Sequence, residues 1–433
     1  MAHPQHRLYR HGGATAALGG PPLLLPTGRA VGGTTIVNSG TCYRTPTPVL
    51  RRWSSEFGWN TNGFDTLLDE VERTLQVATQ PRDVLGNNGL LALDGAKHLG
   101  WRAAPLRRNA PGCKGSCQCV VGCPTGAKQS VQLSVLPDAC AAGARIVTGA
   151  RVLRILSDPD RPGGPAAVGV HVRRADGSEL EILSPLIVVA AGALQSPPLL
   201  RRSGLGSHPR LGQDLSVHPA TSVAGRFPHK VTAWEGVLQS VGIEELHAEG
   251  VLLEATATPP GMSSFILPGL GRELRAGMDG AGHLATLGAM IADHPSGRVL
   301  GRDRTLIRYD LHPHDATRLV TAVRAMTRVL FAAGAQEVLT GIARAPRLQS
   351  PQQLDSMLDH VTARDLHLSA FHPTGTVAAG RDPQRFPADE RGQLQGVHGV
   401  HIADGSVLPS CPEVNPQLTI MAAALAVSRA IVQ

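Results

Sequence analysis

Two polar motifs near the C-terminus constrain this chain more than any other feature. The first, Phe371-His372-Pro373-Thr374-Gly375-Thr376, sets an imidazole on a Pro/Gly turn, from which it can project into a cavity. The second runs from His401-Ile402-Ala403-Asp404-Gly405-Ser406 to Asn415-Pro416-Gln417-Leu418-Thr419-Ile420-Met421 and continues into an apolar stretch with Leu425 and Val427. Asn favours the N-cap and Pro the first helical position, so Asn415 is expected to open a buried helix. A histidine, an amide and a positive helix end then lie near one another. That set suits deprotonation of an alcohol and stabilisation of a developing anion.

The order His-Pro-x-Gly-Thr, Ala-Asp-Gly-Ser-Val-x-Pro, Asn-Pro-x-Leu-Thr-Ile-Met resembles the C-terminal part of the glucose-methanol-choline (GMC) flavin oxidoreductases. Residues 28–38, which include Gly32, Gly33, Thr34, Thr35 and Asn38, resemble the first signature of that family, together with Arg44. Residues 192–200, which begin Gly192-Ala193-Leu194-Gln195-Ser196, resemble its second and end in Ser203-Gly204-Leu205-Gly206. Four ordered segments over nearly the whole chain are far more specific than any one alone.

The resemblance implies an α/β fold: a Rossmann-like FAD-binding domain and a substrate domain with an antiparallel sheet and flanking helices. Residues 1–45, 130–225 and 380–433 are expected to build the FAD domain, 46–129 a helical and Cys-rich region, and 226–379 the substrate domain. The cofactor it implies is FAD. His372 then takes the proton of a substrate hydroxyl while a hydride leaves the carbon for flavin N5, and Asn415 donates to the substrate oxygen. Gly32, Gly33, Thr34, Thr35 and Asn38 wrap the isoalloxazine, and Asp404 with Gly405 contacts the ribityl-phosphate region. Val152 meets the adenine through its backbone, Gly192 and Ala193 form the turn of the second signature, and Pro416 and Thr419 line the pyrimidine side. Where relatives often carry Met just after Gly-Thr-x, this chain has Ala378-Ala379-Gly380.

One family feature is missing. A dinucleotide fold begins with a strand, a Gly-x-Gly-x-x-Gly turn and a helix, where glycines admit the pyrophosphate and the helix N-terminus receives its charge. This chain reaches the first signature by Gly28 without such a unit, so the first βαβ unit is expected to be lacking. The nearest match, Gly280-Ala281-Gly282-His283-Leu284-Ala285, falls where the substrate domain should be. Either the start codon is misassigned, or the protein is naturally shortened with impaired flavin binding.

At 433 residues the chain can bury a substantial core in about one to three domains. No stretch approaches about twenty consecutive apolar residues, so no membrane-spanning helix is expected. No apolar segment with a cleavage site follows the basic N-terminus, which points to the cytoplasm. The net charge of +7 comes from scattered Arg with few aromatics, a pattern of solvated surface rather than of nucleic-acid binding.

Along the chain, residues 46–77 read as helical, with Leu67, Leu68, Val71 and Leu75 at helical spacing and Asp65 as cap. Residues 144–148, 152–155, 168–172 and 180–183 read as strands, the last two joined by an Asp176-Gly177 turn. Residues 186–191 form a short apolar run expected of a strand buried on both faces. Alternation through 220–310 fits an antiparallel sheet, and 316–333 an amphipathic helix stopped by Gly334.

Cys113-x3-Cys117-x-Cys119-x3-Cys123 packs four of the seven cysteines into eleven residues. Without an export signal, disulfides are not favoured, and the spacing matches no common zinc pattern. The loop resembles that of long-chain alcohol oxidases and, less closely, that of sugar dehydrogenases whose Cys loop holds a cluster. Three states stay open: a packed thiol loop with no metal, an iron–sulfur cluster on the four sulfurs, or another metal. Cys42, Cys140 and Cys411 read as ordinary buried cysteines. The expected activity is oxidation of an alcohol CH–OH group, bulky and apolar, with the electron acceptor open. A flavin-free scaffold and an electron-transfer subunit with a cluster are the alternatives.

Overall fold

Alternating apolar residues in the middle of the chain build the dominant element, a ten-stranded mixed sheet. The computed structural model describes residues 7–259 and 267–432. The sheet runs Ala16–Ala17, Leu23–Leu24, Leu368–Ser369, Ala220–Arg226, Leu284–Ile291, Val251–Thr256, Gln239–Ile243, Ala103–Pro105, with Glu337–Leu339 and Arg347–Leu348 as a branch on Ala220–Arg226. Leu368–Ser369 is parallel to Leu23–Leu24; every other pairing in the sheet is antiparallel. The register sets Val223 opposite Leu287 and Glu254 opposite Gly288.

Helix Pro313–Ala332 packs on this sheet and against helix Gly86–His98. Its buried stripe contains Leu319, Val323, Met326 and Leu330, the spacing seen in the sequence. Gly334 follows at φ +96°, a conformation that stops a helix.

A second core gathers around the C-terminal helix Gln417–Val432. It takes in Leu50 and Trp53 of helix Thr47–Phe57, Leu67 and Leu68 of helix Phe64–Thr74, and Leu200 of helix Ser196–Arg202. It also takes in a parallel pair, Ile187–Val189 with Val400–Ile402, registered Ile187 to Val400. A three-stranded antiparallel sheet, Ala150–Asp158, Ala166–Arg174 and Glu179–Leu183, stands beside it. The architecture is therefore mixed α/β.

Several local expectations are corrected. Residues 46–77 are helical as expected, and Gly58, in a left-handed conformation, divides them into two helices. Asp65 lies in the first turn of the second helix, whose N-cap is Gly63. Residues 144–148 are irregular, with Ile146 and Val147 exposed and no strand beside them among the described residues. In the run 186–191, Ile187–Val189 is a strand, but Val188 is 47 % exposed, so only one face is packed. Residues 280–285 join helix Arg272–Asp279 to strand Leu284–Ile291, the reverse of the strand–turn–helix order a dinucleotide turn requires.

Candidate active site

The His372 loop crosses from the large sheet to the second core. Thr374 pairs with Ser216 through both backbone bonds (2.9 and 3.2 Å), the Gly375 amide donates to Gly405 O (3.2 Å), and the Val377 amide donates to Ser406 O (3.0 Å). Thr376 Oγ1 donates to Ala193 O at 2.6 Å. Gly375 adopts φ +89°, and a Cβ there would lie 2.5 Å from Asp214 O, so the turn closes only on glycine. The motif His-Pro-Thr-Gly-Thr is thus pinned on both sides.

Asp404 ties the second signature to the same place. Gly192 N and Ser196 Oγ donate to its Oδ2 (2.8 and 2.6 Å), and Ser406 N and Oγ donate to Oδ1 (2.8 and 2.5 Å). Both carboxylate oxygens are engaged inside the protein, so Asp404 shapes the turn rather than offering a free carboxylate.

Helix Gln417–Val432 begins two residues after Asn415, and its first backbone bond here runs from the Ile420 amide to Pro416 O. Asn415 does not cap it. Its Oδ1 is buried without a partner, and the side chain faces the Glu254 carboxyl instead. Glu254 is 5 % exposed, and its Oε1 is also unpartnered. Burial lifts its pKa to about 7, against the opposing pull of Asn415. Only a donor lowers a carboxyl pKa, so the Asn415 NH2 is the group that faces Glu254, and its second hydrogen can be offered to a substrate. Gln239 holds the other oxygen (Nε2 to Oε2, 3.0 Å) and accepts from Thr41 Oγ1 (2.7 Å).

His372 is half-buried, and burial pushes its pKa down to about 4, so it is neutral near pH 7. Its Nδ1 lies 3.3 Å from His218 Nδ1, which leaves Nε2 as the nitrogen available to a substrate. Phe371, 56 % exposed, stands next to it.

The first-signature segment meets the helix start. Asn38 Nδ2 donates to Gln417 Oε1, and the Thr45 and Thr419 hydroxyls are 2.8 Å apart. Thr35 Oγ1 accepts from Val131 N (3.0 Å), and Gly33 and Thr34 lie exposed on the rim. Lys128 Nζ donates to Ile36 O, Asn38 O and Cys119 O (2.9, 2.6 and 2.9 Å); burial lowers its pKa to about 8. Val152 stands on the three-stranded sheet, paired with Val172.

All seven cysteines are free, and Cys140 is exposed, contrary to its expected burial. In the Cys-rich loop the fully buried Arg108 donates to Cys119 Sγ (3.2 Å) and Cys113 Sγ (3.8 Å). The four loop sulfurs do not gather into a set of three potential ligands. Among the described residues, such a set forms at His294, His314 and Asp315, where the carboxylate already accepts from His294 Nδ1 and its amide. A void lined by Ala224, Trp234, Leu284 and Thr286 holds about 10 Å³, room for roughly one water and no substrate.

Two family models described as GMC oxidoreductase match this chain, over residues 5–220 and 295–424. The chain belongs to the GMC oxidoreductase family. It is 56 % identical over 434 residues to an uncharacterized GMC-type oxidoreductase of Mycobacterium tuberculosis, covering 98 % of this chain and 68 % of that one. It is 30 % identical over 464 residues to the long-chain-alcohol oxidase FAO4B of Arabidopsis thaliana, covering 98 % of this chain and 60 % of that one. Among solved structures it is similar to pyridoxine 4-oxidase from Mesorbium loti, with TM-score 0.67 at 18 % identity over 94 % of this chain and 85 % of that one. A likeness at that identity speaks for the fold.

The cofactor of GMC oxidoreductases is FAD, and the residues gathered around the His372 loop fit such a group. A Cβ at Gly33 or Gly192 would meet nothing within 4 Å, so both turns present open backbone. Asn38 Oδ1, Thr374 Oγ1 and Asn415 Oδ1 are buried polar atoms without partners, which a ring edge or substrate can satisfy. The sequence pattern singled out His372, Asn415 and the signature turns. The structure sets Glu254, His218, Gln239 and Lys128 beside them; for Glu254 and His218 the only signal was a polar residue inside an apolar alternating run.

Proposed function

We propose that this chain oxidises the CH–OH group of a bulky, apolar alcohol to a carbonyl. The observation that carries the reading is His372, a neutral imidazole with Nδ1 engaged and Nε2 available on a loop pinned at both ends. FAD, when bound, supplies the hydride acceptor. His372 Nε2 takes the hydroxyl proton, and one hydrogen of the Asn415 NH2 donates to the oxygen as negative charge develops. Glu254 accepts from the amide's other hydrogen and so orients it. Gly32, Gly33, Thr34, Thr35, Asn38, Gly192, Ala193, Gly405, Pro416 and Thr419 form the flavin's surroundings, with Val152 further off toward the adenine. Phe371 beside the base, and the long-chain-alcohol oxidases among the relatives, support an apolar substrate. The second core is the flavin-bearing part, and the large sheet faces the substrate. Seven free thiols fit a reducing, cytoplasmic setting.

The test is anaerobic mixing of the FAD-loaded protein with a long-chain primary alcohol, with ethanol and glucose as controls, followed by flavin absorbance. Bleaching by the long-chain alcohol, abolished in His372→Ala with flavin still bound, is expected. Asn415→Ala should slow bleaching by about 2–4 kcal/mol in barrier. Undiminished bleaching in His372→Ala would place the base elsewhere, and a chain that takes up no flavin would leave a scaffold.

A further inference from the structure

Behind His372 lies a buried polar chain that the alcohol chemistry above does not use. His218 is 1 % exposed and holds φ +53°, a backbone conformation uncommon outside glycine and kept only where the surroundings impose it. The surroundings here are one carboxylate. Asp293 accepts from Ser216 Oγ (2.5 Å), Val217 N (3.0 Å), His218 N (3.1 Å) and Tyr309 Oη (2.8 Å). This fixes the main chain at His218 and aims its ring between two partners. Nδ1 faces His372 Nδ1 at 3.3 Å, with the rings crossed at 83°, and Nε2 faces the buried Cys411 Sγ at 2.8 Å.

Both imidazoles are neutral near pH 7, because burial holds His218 well below the usual histidine value and His372 at about 4. Burial likewise raises Cys411, so it is a thiol. Two neutral rings share one hydrogen across the Nδ1–Nδ1 contact, and the nitrogen that carries it decides what His372 presents to a substrate. If the Cys411 thiol donates to His218 Nε2, then His218 Nδ1–H donates to His372, whose own hydrogen sits on Nε2. A histidine in that state cannot accept a proton there. In the reverse polarity His372 Nδ1–H donates to His218 Nδ1, and His218 Nε2–H donates to Cys411 Sγ, which the Glu413 amide also approaches as donor.

We propose that His218, backed by Cys411 and seated by Asp293, is a positioning residue that keeps the hydrogen of His372 on Nδ1 and leaves Nε2 bare toward the substrate. The inference rests on His372 acting as the base. When Nε2 takes the alcohol proton, the Nδ1–H···Nδ1 contact to His218 stabilises the new positive charge. Among the described residues three titratable groups face His218: its ring meets His372 and Cys411, and its main chain meets Asp293.

The test is nitrogen NMR of the full chain labelled with 15N-histidine, which reads the tautomer of each ring directly and needs no substrate. The His372 and His218 signals are assigned by their disappearance in His372→Gln and His218→Asn; Asn tolerates the left-handed backbone at 218. The expected wild-type result is a single Nδ1–H tautomer at His372 and a single Nε2–H tautomer at His218. In Cys411→Ala the His372 signal should become a mixture of both tautomers, and His218→Asn should also mix it. A wild-type His372 that carries its hydrogen on Nε2 overturns the proposal. So does a His372 tautomer unchanged in Cys411→Ala, a variant that decides the point even if His218→Asn does not fold. A merely structural role would lower thermal stability in both variants and leave the His372 tautomer alone. The two readings separate cleanly: alcohol-driven bleaching that survives His372→Ala sinks the base assignment, whereas the tautomer spectra judge the His218 chain by itself.

Discussion

At the residue scale, the site is governed by which groups burial keeps neutral. His372 is held at about 4, so its imidazole stays neutral far below the usual histidine range, as the proposed base requires. The rate of flavin reduction by alcohol should stay level from neutral pH downward and fall only as pH approaches about 4, in stopped-flow measurements across that range. A midpoint near 6.5 would mean that the ring is solvated in the working enzyme. Glu254 moves the other way. Its folded pKa of about 7 lies above the ordinary 4.5, so the neutral form contributes stability that is complete below about pH 4.5 and lost as pH rises through about 7. Glu254→Gln, which cannot ionise, should lose that pH dependence. Urea denaturation should show wild type weakening relative to the variant by up to roughly 3 kcal/mol between those limits. Parallel curves would mean that Glu254 is ionised and solvated in the fold.

At the scale of elements, the site is assembled by straps between segments distant in sequence, and this is also where legibility in the sequence divides. The turn chemistry of His372 and Gly375 is local, so motif and structure agree. The buried stripe of Pro313–Ala332 was equally readable, since period alone decides which face packs. Strand alternation tells which residues share a face but not which strand lies opposite. Glu254 and His218 therefore could not be assigned to Asn415 and His372 from the sequence. Asn415 followed the helix-capping rule in composition, yet its side chain turned to Glu254, because tertiary contact outweighs a local preference of about 1 kcal/mol. The Cys-rich segment is strapped to the first-signature loop by Lys128, which joins the carbonyls of Ile36, Asn38 and Cys119. Lys128→Met keeps the stem but leaves three buried carbonyls without a donor, a loss of about 1–3 kcal/mol for each acceptor that water cannot reach. FAD-loaded Lys128→Met should release flavin at a lower temperature than wild type, followed by the rise in flavin fluorescence. An unchanged release temperature would mean that the strap does not hold the first-signature loop.

At the scale of the whole molecule, two cores meet along the His372 loop. Ala370 packs in the core of the large sheet and Val377 in the core around the C-terminal helix, so the segment that carries the proposed base is also the joint between them. Gly375 is the position on which that joint closes. Its φ of +89° and the 2.5 Å approach of a would-be Cβ to Asp214 O mean that alanine must push the loop away from the 212–218 segment. The backbone strain alone is worth about 1–3 kcal/mol. The displacement would also break the register that brings Ser216 to Thr374 and, two residues further on, His218 to His372. Gly375→Ala should therefore do two things at once. Denaturant unfolding should show a stability loss of about 1–3 kcal/mol. Flavin reduction by alcohol should fall by far more than the unfolded fraction explains, since a base moved by about an ångström loses on the order of a hundredfold in rate. If activity falls only in step with stability, the joint is a packing feature, and the geometry of the base is set from elsewhere on the large sheet.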